Sequence, residues 1–250
     1  MTGRLRVLTT REEIRPERLA GSTAVVIDVF MATTTLLTIL ENGARSVRPV
    51  ATLTEAEAQS ELLDPSMRLR GGEQGAQFVQ GFDLGPFPDE YPPEKVAGRD
   101  VIFLSTNGTV AIAAVAGAER VLLASLRNAP AVARLLQDES PDSIHIVCAG
   151  SMGRLALEDL AGAAAILSRM ELSRWTLNDG AWLARELGES YRDRIPELVR
   201  VGRAGRWFQR NDREDAFRFV VDVGASDLIG EIRDGRLARI PSRVIAGGAR

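Results

Sequence analysis

Asp28 ends a short apolar run, residues 25–28, and three consecutive threonines, Thr33, Thr34 and Thr35, stand at the head of the amphipathic segment that follows. A helix N-terminus exposes unpaired N–H groups and the positive end of the helix dipole, so hydroxyls placed there can help to hold an anion. Asp28 would repel that anion unless a proton or a cation stood between them, and a divalent metal would resolve the conflict. The alternative is that one threonine caps the helix and Asp28 is an ordinary loop acid.

A second polar cluster, "STNGT", follows the apolar run "VIFL" and includes Asn107, Gly108 and Thr109. An Asn-Gly pair can adopt left-handed backbone conformations, which lets consecutive N–H groups converge on an oxyanion. The alternative is an ordinary strand-to-helix turn in which Thr109 caps the helix.

The third cluster lies in "CAGSMGRLALED", where Cys148 and Arg154 have the C-x5-R spacing of cysteine-dependent phosphatases. In such loops a thiolate of low pKa attacks phosphorus while the arginine and backbone amides hold the phosphate. We favour a buried cysteine at a strand end, in which case the loop could still bind an anion. Glu158 and Asp159, at the start of the next helix, are either metal ligands or the solvated face of that helix.

Glu73 and Asp83 form the fourth cluster, within residues 71–99, which contain six glycines and four prolines. Glycines there would let the backbone approach a ligand, and two acids could complete a site for a hard cation. The segment is too long for an idle connection, so we expect a functional loop.

These clusters need a scaffold, and apolar runs of strand length alternate with runs of helical period along the chain. The strands are predicted at 24–28, 46–51, 100–105, 120–125 and 143–149. The helices are predicted at 34–42, 54–63, 108–116, 128–138 and 157–170. A closing pair of strands is predicted around "GEIRDGRLARIP". This alternation predicts one domain over 1–250, a three-layer α/β/α fold with a mostly parallel sheet. Ligands bind at the carboxyl ends of parallel strands, where all four clusters fall.

Composition excludes several classes of function. The net charge is −3 with no basic block, so we expect no nucleic-acid partner. The single lysine, Lys95, lies outside any GxxxxGK[ST] motif, and one cysteine with one histidine cannot build a zinc site rich in those residues. His145, inside "SIHIVCAG", is predicted to be a core residue, so magnesium or manganese held by carboxylates is favoured over zinc. No apolar run reaches membrane-span length and the N-terminus lacks a signal-peptide core, so we expect a cytoplasmic protein without a membrane partner.

In this order, four stretches together resemble the 2-phosphosulfolactate phosphatase (ComB) family: "VVIDV..ATTT....ENGA", "GGE..G.....GFDLG..P.EY", "STNGT.AI" and "CAG..GR..LED". Weaker similarity continues through "NDGA" at 178–181 and "IP" at 240–241, so the resemblance covers roughly residues 4 to 245. It implies a Mg²⁺-dependent phosphoric monoester hydrolase of the α/β class that converts 2-phospho-3-sulfolactate to sulfolactate, a step toward coenzyme M in methanogens. It also implies a small anionic phosphorylated substrate and a possible homodimer.

The resemblance also implies roles for individual residues. Asp28 would lie near metal and phosphate as a catalytic acid or metal ligand, and Thr33, Thr34 and Thr35 would line the anion site. Glu73, Asp83, Glu158 and Asp159 would be candidates for metal coordination or acid–base work, and Asn107, Gly108, Thr109 and Arg154 would hold phosphate or sulfonate oxygens. Metal-activated water and a phospho-aspartate at Asp28 both fit.

The chain departs from the family pattern at positions that carry charge. Met31 stands where the family usually has arginine, Val110 where it commonly has a basic residue, and Pro86-Phe87 alters "GFDLGNSP". Each lost charge-assisted contact contributes about 1.5–3 kcal/mol to binding. These departures motivate one alternative to the metal-dependent phosphatase, a non-catalytic protein that binds small anions. A second alternative, a phosphatase with Cys148 as its nucleophile, rests on the C-x5-R spacing.

Overall fold

A computed structural model describes residues 2–240, which form one continuous mixed sheet covered by helices on both faces. Its strands are β1 Gly3–Leu8, β2 Thr23–Ile27, β3 Ser46–Val50, β4 Arg68–Gln74, β5 Gln77–Phe78, β6 Asp100–Leu104, β7 Arg120–Ala124, β8 Ser143–Cys148, β9 Trp175–Leu177, β10 Ile229–Arg233 and β11 Arg236–Ile240. Its helices are α1 Ala32–Glu41, α2 Leu53–Glu61, α3 Pro93–Val96, α4 Gly108–Ala114, α5 Ala129–Glu139, α6 Leu157–Leu167, α7 Asp179–Tyr191, α8 Ile195–Arg200, α9 Arg203–Arg210 and α10 Glu214–Val220. Short 3-10 turns occupy Arg11–Glu13, Pro16–Arg18 and Pro88–Glu90.

The strand order is β5-β4-β6-β3-β11-β10-β7-β2-β8-β1-β9. Two groups within it are parallel: β7, β2, β8, β1 and β9 form one, and β3, β6 and β4 form the other. The antiparallel hairpin β10–β11 joins them. The predicted mostly parallel α/β fold is therefore confirmed, with an antiparallel insert near its middle.

Three apolar clusters show how the layers pack. Helices α5 to α10 bury their apolar faces against one face of β1, β2, β7 and β8. Helices α1 and α4 lie against the opposite face of those strands and also contact β3. Helix α2 packs on the outer face of β3 and β6. Because α1 and α4 touch both parallel groups, the loops that precede these two helices are brought together.

The predicted central strands are present because their sequences suit burial on both faces. All five residues of β2 are buried, as are all five of β6, and such continuous apolar runs are typical of parallel strands under helices. The predicted closing hairpin is also present, with Asp234 and Gly235 at its turn in left-handed conformations. Pro241, part of the weaker similarity, lies outside the described residues.

Four strands, β1, β4, β5 and β9, were not predicted. In β1 the sequence "GRLRVL" places charged residues at alternate positions, which weakens the apolar signal, yet the strand pairs with both β8 and β9. Strand β9 has three residues, too few for a pattern to show.

Residues 71–99 are less irregular than the sequence suggests, because they contain the end of β4, the short β5 and α3. Gly72 has a φ of +116°, and a Cβ there would lie 1.8 Å from the Leu104 carbonyl oxygen. At Gly71 a Cβ would lie 1.9 Å from the Tyr91 hydroxyl. These two glycines therefore allow close packing on β6 and Tyr91, and not the approach of a ligand that the sequence suggests.

Within residues 2–240, every helix is too short or too polar to cross a lipid bilayer.

Candidate active site

Asp28 lies directly after β2, where the first turns of α1 and α4 meet. The backbone N–H groups of Ala32 and Gly108 act on its carboxylate and oppose the rise in its pKa. A Cβ on Gly108 would lie 2.5 Å from Oδ2 of Asp28, so only glycine allows this approach. The strand ends of β2 and β6 therefore converge on one carboxylate, as the clustering of motifs predicts.

Asp28, Glu158 and Asp159 are buried together, with side chains from two strand-to-helix connections. Burial raises the pKa of Asp28 to about 7, with further repulsion from Glu73 and Glu158. Burial likewise raises the pKa of Glu158, and it raises the pKa of Asp159 well above its usual value, with added repulsion from Asp28 and Glu158. Among the described residues, no arginine or lysine forms an ion pair with any of the three. Buried acids this close together repel one another when they are all ionised. Either protonation or a bound cation removes that repulsion.

Asp159 has a definite positioning role. Its Oδ1 accepts the Val29 N–H at 2.9 Å and its Oδ2 accepts the Gly150 N–H at 3.0 Å. The side chain thus joins the loop after β2 to the loop after β8. Because both oxygens are engaged, Asp159 is less suited to bind a metal than Asp28 or Glu158.

Glu73 joins the end of β4 to the turn after β6. Its carboxylate accepts the Thr106 N–H at 2.6 Å, the Thr106 hydroxyl at 2.9 Å and the Ala76 N–H at 2.7 Å. Its charge acts on Asp28. Glu73 is therefore part of the site, and its main role there is to fix the turn after β6.

Asp83 is exposed and accepts the Arg70 N–H at 2.7 Å, which fixes the glycine-rich segment to β4. It is not among the groups whose charge acts on Asp28. Within residues 2–240, no three histidine, cysteine, aspartate or glutamate side chains are placed to hold a metal together. The structure thus does not assemble the four predicted metal ligands into one cage.

The hydroxyls of Thr33, Thr34 and Thr35 are fully buried and already bonded to carbonyl oxygens. They donate to Asp28 at 2.8 Å, Val29 at 2.8 Å and Pro86 at 2.7 Å, in that order. The three threonines therefore shape the loop around Asp28, and no hydroxyl is aimed at a ligand. Their predicted anion contacts are replaced by a structural role.

The turn after β6 is held by its own side chains and by an arginine from β1's end. Thr109 Oγ1 accepts the Ser105 N–H at 2.9 Å, and the Thr109 N–H donates to Ser105 Oγ at 3.0 Å. Thr109 lies within α4, so it is not the helix cap that the alternative predicted; Asn107 holds that position without a capping bond from its side chain. Nη1 of Arg11 donates to the Thr106 carbonyl and to Asn107 Oδ1, both at 2.8 Å. Asn107 and Gly108 thus lie at the site, while Arg11 is a site residue that sequence reasoning missed. Recognising β1 as a strand would have placed Arg11 at its carboxyl end.

Cys148 is the last residue of β8 and is fully buried in the core. Burial, followed by the charges of Asp159, Glu13 and Glu158, raises the pKa of the thiol well above its usual value. A nucleophilic cysteine needs the opposite environment, one that is accessible and favours the thiolate. The structure therefore argues against Cys148 as the nucleophile and supports the buried cysteine that the sequence favoured.

Arg154 is exposed at the rim, beyond a tight turn in which the Ser151 N–H donates to the Arg154 carbonyl at 2.8 Å. Gly150 and Gly153 have φ values of +69° and +71°. The turn is thus closed by its own backbone, and the role of Arg154 in holding an anion stays a prediction.

Arg203, on α9, is a second cation that sequence reasoning missed. It opposes the rise in the pKa of Glu158, although burial outweighs it, and its Nη2 donates to the Leu155 carbonyl at 3.2 Å. No local signal connects Arg203 with the motif around Glu158.

An aromatic wall, formed by Phe30, Phe87, Trp207, Phe208 and Phe217, covers one side of the loop after β2. The rings of Phe30 and Phe208 lie 4.6 Å apart. Met31 packs against the same apolar cluster. At position 31, where the family usually has arginine, this chain therefore has an apolar side chain that packs against apolar neighbours.

The assembled site has buried acids at its base and arginines at its rim, with backbone N–H groups between them. Carboxylates of raised pKa can take or give a proton near neutral pH, and rim guanidiniums can hold an oxyanion. Such an arrangement is suited to displacement at a phosphate ester.

Comparison with known proteins identifies the family. A sequence model described as 2-phosphosulpholactate phosphatase matches residues 8–235. Proteins named "Probable 2-phosphosulfolactate phosphatase" share 34% identity over 232 residues in Caldanaerobacter subterraneus, covering 92% of this chain and 96% of the relative, and 39% over 223 residues in Symbiobacterium thermophilum, covering 88% and 95%. One of the same name in Thermotoga maritima is 42% identical over 177 residues, covering 70% and 74%. With the family's motifs converging on Asp28, the chain belongs to the 2-phosphosulpholactate phosphatase family, a family of phosphoric monoester hydrolases.

Proposed function

We propose that this enzyme hydrolyses 2-phospho-3-sulfolactate, or a closely related small anionic phosphorylated hydroxy acid, to the alcohol and phosphate with the help of Mg²⁺. The observation that carries the proposal is the position of Asp28, a buried carboxyl with a pKa of about 7 where two helix N-termini meet. Family membership narrows the substrate to a phosphate monoester, from which the alcohol is the leaving group.

Mg²⁺ fits the acids that are present. Magnesium is usually held by one or two carboxylates together with waters and substrate phosphate oxygens, so a cage of three protein ligands is not required. Asp28 and Glu158 are the best candidates, because both are buried and neither forms an ion pair among the described residues, although the charge of Arg203 acts on Glu158. When bound, the ion would offset the acids' repulsion and the negative charge of the phosphate.

The side chains supply the remaining functions. Arg11, fixed by Thr106 and Asn107, would orient the phosphate, and Arg154 and Arg203 at the rim would meet the sulfonate or carboxylate. With Mg²⁺ held by Glu158 and waters, Asp28 would accept the proton of the attacking water, since a base works best when its pKa lies near the operating pH; as a ligand of the ion, Asp28 would instead help to position that water. Asp159 and Glu73 hold the loops in which these groups stand.

The test is phosphate release from 2-phospho-3-sulfolactate and from a panel of phosphorylated hydroxy acids. EDTA should abolish release and added Mg²⁺ should restore it. Asp83→Asn, an acid away from the site, serves as the matched control for Glu158→Gln, and only the latter should raise the Mg²⁺ concentration needed for half-maximal rate by tenfold or more.

Unchanged release in EDTA would contradict the metal-dependent proposal. Thermal stabilisation by sulfolactate and phosphate with no turnover on any panel member would instead support the alternative of a non-catalytic anion-binding protein.

A further inference from the structure

Four basic side chains lie on one face of the sheet, away from the Asp28 site. In the parallel pairing of β1 with β8, Arg6 is in register with His145. Residues in register point to the same face, and Arg4, two positions earlier, shares that face. The turn that carries Arg18 packs on the same side, because the next residue, Leu19, is buried in the cluster that covers it.

These groups have no acidic partner. Among residues 2–240, Arg4, Arg6 and Arg18 form no ion pair, and their guanidiniums donate no hydrogen bond to another side chain or carbonyl. The charges that act on His145 are those of the same three arginines, and all of them lower its pKa, as burial does. Likewise the charges that act on Arg6 are those of Arg4 and Arg18.

The buried imidazole of His145 is an independent observation that points to a ligand at this face. The side chain is only 3% exposed, and its Nε2 is a buried polar atom without a hydrogen-bond partner. Leaving such an atom unpaired is costly, and native structures usually satisfy it with a protein group, a water or a ligand. Beside three unpaired guanidiniums, the group that would satisfy all four is an oxyanion.

We propose that Arg4, Arg6, Arg18 and His145 form a second anion site that takes a phosphate- or sulfate-class oxyanion. His145 precedes the carboxyl end of β8 by three residues, so the site lies roughly 10 Å along the strand from the end that faces Asp28. It does not depend on the proposed function, because none of its four residues takes part in the hydrolysis described above.

The single histidine of the chain makes a direct test available. In protein labelled with ¹³C-histidine, the imidazole Cε1–H signal belongs to His145 alone. Titration with sodium sulfate, which is neither substrate nor product, should shift this signal in a saturable way and raise the pKa of the imidazole. Inorganic phosphate should act in the same way, and the response should persist in Asp28→Asn protein, which separates it from the active site.

Arg6→Gln should weaken the sulfate response at least tenfold while leaving phosphate release from the substrate unchanged. Arg185→Gln, an exposed arginine on α7 that pairs with Glu189, is the matched control and should behave as wild type. If Arg6→Gln does not fold, Arg18→Gln, an exposed position, replaces it with the same expectation.

A His145 signal that does not respond to either anion would overturn the proposal, as would an equal response in Arg6→Gln. A His145 signal that changes with protein concentration, together with dimerisation in sedimentation, would assign the basic face to an acidic segment of a second copy and would also overturn it.

Discussion

Replacing Asp28 by asparagine tests the electrostatic account of the site, because it removes the charge while nearly keeping the shape. The structure predicts two opposite effects. The substitution should abolish most of the activity, and above neutral pH it should make the metal-free protein more stable.

The size of the stability effect follows from the pKa of Asp28. Its ordinary value is 3.8 and burial raises it to about 7. The folded protein therefore holds this proton more tightly than the unfolded chain, and stability is lost as pH rises from 3.8 to about 7. At about 1.4 kcal/mol per pKa unit, the ionised carboxylate costs up to roughly 4 kcal/mol at pH 8.

Asparagine avoids that cost but loses a favourable contact with a backbone N–H group. Two such groups, of Ala32 and Gly108, lower the pKa of Asp28; the amide oxygen of asparagine can face one of them, and its NH₂ group must then face the other. Losing a bond to a charged acceptor costs about 1.5–3 kcal/mol. The net gain at pH 8 is therefore about 1–2 kcal/mol, or a Tm higher by roughly 5 °C for a chain of this size. At pH 5 the gain should vanish, since most of the repulsion is absent in the wild type as well.

The assay is thermal unfolding of both proteins in EDTA between pH 5 and pH 8.5, beside phosphate release with Mg²⁺ present. Asp83→Asn is the control, because Asp83 is exposed and should show no pH-dependent gain. An Asp28→Asn protein with ordinary activity would refute the catalytic assignment. A Tm difference that stays the same from pH 5 to pH 8.5 would refute the electrostatic account, even if activity were lost.

Three further substitutions test other parts of the site. Cys148→Ser should keep turnover within about twofold. It should lower the free energy of unfolding by about 1–3 kcal/mol, because a buried hydroxyl replaces a thiol in an apolar core. A folded variant without turnover would restore Cys148 as the nucleophile. Arg11→Gln should raise KM for the phosphorylated substrate at least tenfold, with Arg185→Gln as an unaffected control, and an unchanged KM would remove Arg11 from substrate binding. Met31→Arg should raise kcat/KM for 2-phospho-3-sulfolactate about tenfold, which needs only about 1.4 kcal/mol of one charge-assisted contact; no gain would indicate that the aromatic wall has adapted the site to another ligand.

The order of elements and the place of the site could be read from the sequence. Continuous apolar runs such as "VIFL" identify buried parallel strands by a local pattern, and polar residues just after β2 and β8 must lie at one end of their parallel group. The group that contains β6 runs in the opposite direction across the hairpin β10–β11, so the approach of Gly108 to Asp28 was decided by the tertiary structure. The long motifs between Asp28 and Asp159, in their order along the chain, were sufficient to recognise the family from the sequence. Strand β1 was missed because its alternating arginines conceal a strand that neighbouring strands stabilise.

The chemical state of each group was decided only by the tertiary structure. Whether the Thr35 hydroxyl faces a ligand depends on Pro86, fifty-one residues away, and whether Cys148 is reactive depends on the helices that bury it. The pKa of Asp28 results from burial, from Glu73 and Glu158, and from the N–H of Gly108; these three residues come from three segments of the chain other than that of Asp28. Hydrogen-bond partners, burial and charge repulsion act over a few ångströms in space, so a sequence pattern can place an acid at a strand end but cannot say which groups surround it.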